Sequence, residues 1–231
     1  MRVHVAFTPA EELNAPVAVV VDVLRATSTI TQALAHGYRR VLCCAEVDEA
    51  RELAAAEGGL LAGERKTRKL DGFDFGNSPS ELLSRPPEET LILTTTNGTR
   101  LLLSAASRCE RVYVGSLLNL DAVAAAASNG AEEVGVLCAG VLGELALDDA
   151  YCAGRIAEAL AGERTDSAEA AIRLAHTFAT PEAALGASKS AANLRGSGLD
   201  RDIAYCARVS ALDVVGRFAR MVGQAAEVVA V

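Results

Sequence analysis

Short apolar runs alternate with amphipathic stretches from the N-terminus to Cys138. The runs Val3–Phe7, Val17–Val21, Val41–Cys44, Leu60–Ala62, Thr90–Thr94, Arg111–Val114 and Val134–Cys138 are mostly Val, Ile and Leu and too short for stable helices, so they predict strands. Val17-Ala18-Val19-Val20-Val21 has no polar face and reads as a strand buried on both sides. Between most of these runs apolar residues recur at helical spacing, over Ser28–His36, Asp48–Ala56, Thr99–Ser107 and Leu120–Asn129. Strand and helix in alternation predict an α/β fold, a mostly parallel sheet with helices on both faces.

Beyond Cys138 the rhythm changes. Leu147–Leu160, Ser167–Phe178 and Pro181–Leu185 read as Ala-rich helices, and no strand signal returns before Val214–Val215 or Val228–Val231. Ser188–Ser197 reads as a Gly/Ser-containing loop that either closes over a ligand or connects helices. The expected organisation is one α/β domain over residues 1–231 with a helical extension at about 141–210.

Two predicted strands empty into turns of similar chemistry. Val17–Val21 leads into Asp22-Val23-Leu24-Arg25-Ala26-Thr27-Ser28-Thr29, and Leu91-Ile92-Leu93 leads into Thr94-Thr95-Thr96-Asn97-Gly98-Thr99-Arg100. Helix-start N–H groups, small hydroxyls and a guanidinium within a few residues suit a tetrahedral oxyanion. A carboxylate beside them can hold a divalent cation, and the carboxyl edge of a parallel sheet is where ligands bind. Plainer readings stay open: an Asp22–Arg25 salt bridge locking its turn, and ordinary strand-to-helix capping at Asn97 and Gly98. Between the two turns, Gly63–Pro79 is too polar for a core strand and too patterned for a linker, and reads as a long functional loop. Arg68 and Lys69 suit a solvated face. Glu64 follows a predicted strand and would stand at the same sheet edge as Asp22.

Composition narrows the function classes. The 231 residues carry 22 Lys and Arg against 30 Asp and Glu, a formal charge of −8, which argues against a nucleic-acid partner. Aromatics make up 4% and Trp is absent, so platforms for stacked bases are not expected. Against that acidic background, Arg25, Arg65, Lys66 and Arg100 gather in turns, as a focused anion site would require. No apolar run approaches the ~20 residues of a membrane span, and the N-terminus lacks the regions of a signal peptide, so a cytoplasmic protein is expected. The six cysteines show no Cys-x-x-Cys pair and read as reduced thiols, not as disulfides or a zinc site.

The run from Asp22 to Ser28, Gly63-Glu64-Arg65, the run from Gly72 to Pro79 and the run from Thr95 to Arg100 resemble, in order, the 2-phosphosulfolactate phosphatase family. Cys138-Ala139-Gly140, the pair Asp148-Asp149 followed by Cys152-Ala153-Gly154, and Gly198-Leu199-Asp200-Arg201-Asp202-Ile203-Ala204-Tyr205-Cys206 extend the resemblance across nearly the whole chain. It departs at Gly143–Leu147, which is less polar than expected before the acidic pair, and at Val214–Arg217, where a proline is missing. The resemblance implies an α/β fold particular to the family and a Mg2+-dependent hydrolase that converts (R)-2-phospho-3-sulfolactate to sulfolactate and phosphate, a step in one route to coenzyme M. Its partner would be a small phosphorylated acid; self-association into a homo-oligomer stays open.

Other phosphatase chemistries find no support in the residues. No cysteine is followed six positions later by arginine, neither Asp22 nor Asp71 opens an Asp-x-Asp pair, and His4, His36 and His176 are scattered. Metal-assisted attack by water remains. On that reading Asp22 and Glu64 are the first candidate ligands for Mg2+, with Asp148 or Asp149 as a third. Arg25 and Arg100 would neutralise phosphoryl oxygens, and Ser28, Asn77, Ser78, Asn97, Gly98 and Thr99 would contact the substrate. Arg65 would take its carboxylate or sulfonate. Which carboxylate activates water is undecided, and a covalent route through Ser28 or Ser78 stays open. The alternative is a non-catalytic protein that binds phosphate or sulfonate.

Overall fold

The computed structural model describes every residue except Glu12. In chain order it holds β1 (Arg2–Ala6), β2 (Val17–Val21), α1 (Ala26–His36), β3 (Arg40–Cys44), α2 (Val47–Glu57), β4 (Leu60–Arg65), β5 (Arg68–Lys69), β6 (Thr90–Thr94), α3 (Gly98–Ala106), β7 (Arg111–Gly115), α4 (Leu120–Ser128) and β8 (Glu133–Cys138). There follow α5 (Leu147–Ala159), β9 (Glu163–Arg164), α6 (Asp166–His176), α7 (Pro181–Gly186), α8 (Lys189–Gly196), α9 (Asp200–Cys206), β10 (Gly216–Val222) and β11 (Ala225–Ala230). All seven apolar runs expected to be strands are strands.

One sheet of order β5-β4-β6-β3-β11-β10-β7-β2-β8-β1-β9 runs through the molecule. It is mostly parallel, as expected, but in two parts: β4, β6 and β3 form one parallel group, and β7, β2, β8, β1 and β9 the other. The C-terminal hairpin β10–β11 sits between them, antiparallel to β7 on one side and to β3 on the other. The two groups therefore run in opposite senses. Adjacent strands rotate by roughly 20–25°, so the five steps from β6 to β2 accumulate roughly 100–125° and swing the carboxyl ends of both groups toward one region. Gly98, after β6, accordingly abuts Asp22, after β2.

The alternation along β2 decides the layers. Val17, Val19 and Val21 pack on one face with Val123 of α4 and Ile156 of α5, while Ala18 and Val20 pack on the other with Ile30 of α1 and Leu102 of α3. On the other parallel group, Leu42 and Ile92 pack with Ala50 of α2 and Phe73. Each fully buried Leu, Ile or Val contributes about 1.5–3 kcal/mol relative to exposure.

Three expectations are corrected. Ser188–Ser197 is not a loop: Lys189–Gly196 is helical, started by the Ser188 hydroxyl, which accepts from the Ala191 N–H at 3.0 Å. The polar Gly63–Pro79 stretch is not one loop, because β4 runs on to Arg65 and turns tightly back through Lys66 and Thr67, both in the left-handed region. Val214–Val215 precedes a strand instead of forming one, and β10 escaped notice because its Arg217, Ala219, Arg220 and Met221 are exposed and give no apolar run.

Candidate active site

A cavity of about 790 Å3 opens at the carboxyl ends of β2, β4 and β6. Asp22, Leu24 and Arg25 line it from the first turn; Glu64, Arg65, Lys66, Thr67 and Arg68 from the β4–β5 hairpin; Thr95, Thr96 and Asn97 from the turn before α3. Asn77 completes this side, and Val141, Leu142, residues of α8, among them Ser190, and Ser197 just beyond it form the opposite wall. The hairpin meets the segment just after α8 where the hydroxyls of Thr67 and Ser197 lie 2.5 Å apart.

Asp22 is held at the bottom. One carboxylate oxygen accepts the Ala26 N–H at 3.2 Å. A Cβ at Gly98 would fall 2.6 Å from Asp22 Oδ2 and 2.5 Å from Ala26 Cβ, so glycine is what lets the two turns close. Glu64 ties three segments: Oε1 accepts from the Thr96 N–H and hydroxyl at 3.0 and 2.9 Å, and Oε2 from the Thr67 N–H at 2.8 Å. Arg65 is anchored by carbonyls, donating to Glu64 O and Ala45 O at 2.7 and 2.8 Å and to Thr94 Oγ1 at 3.1 Å. None of these partners is a carboxylate. Its charge thus remains available to the cavity.

Arg25 is buried and pairs with Asp202 of α9 at 2.6 Å. Ser78 donates to the other Asp202 oxygen at 2.5 Å. Asn77, buried beside it in sequence, has no partner for its Oδ1 among the described residues. The remaining carboxylates lie behind the cavity wall. Asp149 accepts the Val23 N–H at 2.9 Å and the Gly140 N–H at 3.0 Å, joining the exits of β2 and β8, and Asp148 accepts from the Ser190 hydroxyl at 3.0 Å. Burial pushes the Asp22 carboxyl up to about 7, reinforced by the charges of Asp148 and Glu64 and opposed by the Ala26 N–H. Burial likewise raises Asp148 to about 6, against the hydrogen bonds it accepts, and raises Asp149, with Asp148 and Asp22 adding to the effect.

The structure thus brings together Asp22, Arg25, Glu64, Arg65, Asn77 and Asn97 around one space, with Gly98 packed behind Asp22. It does not bring the other named residues to the cavity. The Ser28 hydroxyl turns back to Val23 O at 2.8 Å, the Thr99 hydroxyl to Thr95 O at 3.1 Å, and Ser78 is committed to Asp202, so neither serine faces the cavity as a nucleophile. Asp148 and Asp149 are turned into loop and helix contacts. Arg100 points outward and pairs with Glu46 at 2.6 Å, both side chains more than half exposed. Three helix positions inward-facing at Leu101, Leu102 and Ala105 leave Arg100 on the solvent side. Conversely, the sequence reading gives no role to Asp202 or Ser190; the Asp200-Arg201-Asp202 run was the available signal, but nothing in it tells which acid faces inward.

Whether these residues suit Mg2+ can be judged from their chemistry. Among the described residues no group of three or more His, Cys, Asp or Glu side chains converges to hold an ion. Two oxygen donors, Asp22 and Glu64, face the cavity, and the buried charge of Asp22 is not neutralised by a protein cation. Mg2+ characteristically takes one or two carboxylates and keeps water or phosphate oxygens for the rest. The donor set fits.

Comparison with known proteins gives the family. Residues 4–220 match the 2-phosphosulpholactate phosphatase family. A protein named 2-phosphosulfolactate phosphatase from Methanothermobacter thermautotrophicus is 41% identical over 206 residues, covering 89% of this chain and 87% of its own. Proteins named probable 2-phosphosulfolactate phosphatase from Clostridium perfringens and Thermus thermophilus are 38% identical over 222 residues and 37% over 232; the matches cover 92% and 97% of this chain and 90% and 98% of theirs. The match places the chain among the phosphoric monoester hydrolases. Within that class it belongs to the 2-phosphosulfolactate phosphatase family. No helix among the described residues is long and apolar enough to cross a membrane.

Proposed function

We propose that this chain is a Mg2+-dependent phosphomonoester hydrolase for a small acid with a second anionic group, (R)-2-phospho-3-sulfolactate, giving sulfolactate and phosphate. The observation that carries the reading is one cavity in which Asp22 lies at the base beside Arg25 while Arg65, Lys66 and Arg68 line the hairpin wall. That is more positive charge than a phosphoryl group needs.

Arg25 uses one Nη1 donor on Asp202 and keeps the rest of its fork for phosphoryl oxygens, where a planar guanidinium makes bidentate contacts. Asn97 and Asn77 add neutral polar groups beside it. Arg65, immobilised by two backbone carbonyls, receives the carboxylate or sulfonate. Asp22, held by the Ala26 N–H, keeps its carboxylate at the cavity base and orients water there. When bound at Asp22 and Glu64, Mg2+ supplies Lewis-acid stabilisation of the phosphoryl charge. The six free thiols support a reducing, cytoplasmic setting.

The test is a phosphate-release screen of phosphorylated three-carbon acids with Mg2+ and with EDTA. Release from 2-phospho-3-sulfolactate that needs Mg2+ and exceeds release from neutral phosphomonoesters is expected. Tight binding of the acid with no release under any metal would overturn the hydrolase and return a non-catalytic anion-binding protein.

A further inference from the structure

We infer that Asp202 is a positioning residue that fixes the Arg25 guanidinium toward the substrate phosphoryl group, with Ser78 holding Asp202 in turn. The inference rests on the phosphoryl role of Arg25 proposed above.

Arg25 leaves the end of β2 and Asp202 lies on α9, far apart in sequence and brought together only by the fold. Their contact is 2.6 Å, and the side chains are 2% and 0% exposed. The pair is therefore unlike the exposed ion pairs of this surface, which are worth about 0–1 kcal/mol. In a buried pair, loss of one partner leaves the other charge uncompensated. The two Asp202 oxygens divide their work: Oδ2 takes Arg25 Nη1, and Oδ1 takes the Ser78 hydroxyl at 2.5 Å. A carboxylate held on one side by a hydroxyl cannot rotate without breaking that bond, so its second oxygen is a fixed point for the guanidinium.

The orientation of Arg25 follows from what else it touches. Among the described residues its side chain donates to no other group, yet it lines the cavity. In so buried a place, four free N–H donors find their acceptors only on the cavity side. Asp202 holds the fork from behind and leaves its face to the ligand. The same pair joins the β2–α1 turn to α9, which packs against α8, the helix that forms the opposite wall. Loss of Asp202 would thus free the guanidinium at the point where charge develops, and the cavity itself would remain.

The experiment is a double-mutant cycle with Asp202→Asn, Arg25→Met and the double variant, read three ways: melting temperature, kcat/KM for 2-phospho-3-sulfolactate, and the rise in melting temperature produced by inorganic phosphate. Asp202→Asn should lower kcat/KM on the order of tenfold to a hundredfold, the worth of a hydrogen bond to a charged group. Arg25→Met should abolish the phosphate-induced rise. The double variant, free of any lone buried charge, should melt above both single variants yet remain at the kcat/KM of Arg25→Met. A purely structural Asp202 predicts instead that Asp202→Asn lowers the melting temperature while the folded protein keeps its kcat/KM and its response to phosphate. Wild-type kcat/KM and phosphate response in Asp202→Asn, or losses that multiply in the double variant, would overturn the inference. Ser78→Ala, which keeps the ion pair, should lose several-fold in kcat with KM unchanged; no change in kcat would remove Ser78 from the arrangement. Should the unmodified protein release no phosphate from any ester, the hydrolase reading fails while the phosphate-response arm still decides the Arg25–Asp202 coupling.

Discussion

Arg25 and Arg100 stand in comparable places along the chain, each where a strand gives way to a helix with threonines close by, and the fold treats them in opposite ways. Arg25 precedes α1, is buried, and meets Asp202. Arg100 lies two residues inside α3 and meets Glu46 in solvent. The difference begins at Gly98. Gly98 opens α3 hard against the Asp22 carboxylate, and the helix phase that follows places Leu101 and Leu102 inward and Arg100 outward. A motif states which chemistry is available, and helix phase states which member of the motif delivers it.

The largest effect should come from the buried side. Asp22→Asn preserves size and removes the charge at the cavity base, and turnover should fall on the order of a hundredfold or more, the scale for losing a group that acts on developing charge. The same variant carries a pH signature in metal-free protein. Asp22 is raised from 3.8 to about 7 in the folded chain, so the folded state holds the proton more tightly; the stability this contributes is complete below pH 3.8 and is lost as pH rises through about 7. Urea midpoints in EDTA should therefore decline between those limits, and Asp22→Asn should flatten the decline. Asp148, raised to about 6, keeps part of the slope. A variant with an unchanged slope and unchanged Mg2+ dependence would show that Asp22 is not the titrating group of this wall.

Gly98→Ala sharpens the comparison next. Alanine in place of glycine within a helix gains roughly 0.8–1 kcal/mol of propensity, but its Cβ would meet Ala26 Cβ at 2.5 Å and Asp22 Oδ2 at 2.6 Å. The Ala26 Cβ is fixed to the backbone and the Asp22 carboxylate is held by the Ala26 N–H, and overpacking of this kind costs about 1–3 kcal/mol. The clash wins. Lower melting temperature together with about tenfold lower kcat is expected; a more stable and fully active variant would mean the two turns are not in close contact.

The contrast between the two arginines also shows where sequence reading reached its limit. The strand runs were legible because a buried parallel strand needs a continuous apolar run, as in Val17–Val21. Asp22, Glu64 and Arg25 were legible as candidates because they directly follow or extend such runs. Of the C-terminal hairpin only Val228–Val231, within reach of β11, gave a strand signal; β10 did not, since Arg217 and Arg220 break its pattern, and the hairpin's place between β3 and β7 depends on pairings with distant segments. Asp202 was hidden for the same reason: Asp200 and Asp202 look alike in sequence, and only the packing of α9 turns one into the interior. Lys189–Gly196 was misread because serine and glycine at its ends signal a loop as readily as a capped helix.

A smaller effect is expected on the hairpin wall. Arg65→Ala removes a cation tethered to Glu64 O and Ala45 O. It should weaken a substrate with two anionic groups by about tenfold while barely altering a simple phosphomonoester, because one charge-assisted contact is worth roughly 1.5–3 kcal/mol only to the ligand that makes it. Equal losses on both substrates would assign Arg65 to the phosphoryl group or to the hairpin itself.

The smallest effect should fall on Arg100, and for that reason it tests the comparison most directly. Its ion pair with Glu46 is exposed on both sides and contributes about 0–1 kcal/mol to stability. Its side chain is no part of the cavity lining. Arg100→Ala should therefore keep kcat/KM within about twofold of the unmodified enzyme and shift the melting temperature slightly, whereas Arg25→Ala should lose most activity. Long-range attraction of an anionic substrate by Arg100 would appear as a fall in kcat/KM confined to low salt, since exposed charges are screened beyond about 10 Å at 0.1 M ionic strength. A loss of kcat in Arg100→Ala that persists at high salt would place the side chain in the reaction and reverse the order of the two arginines.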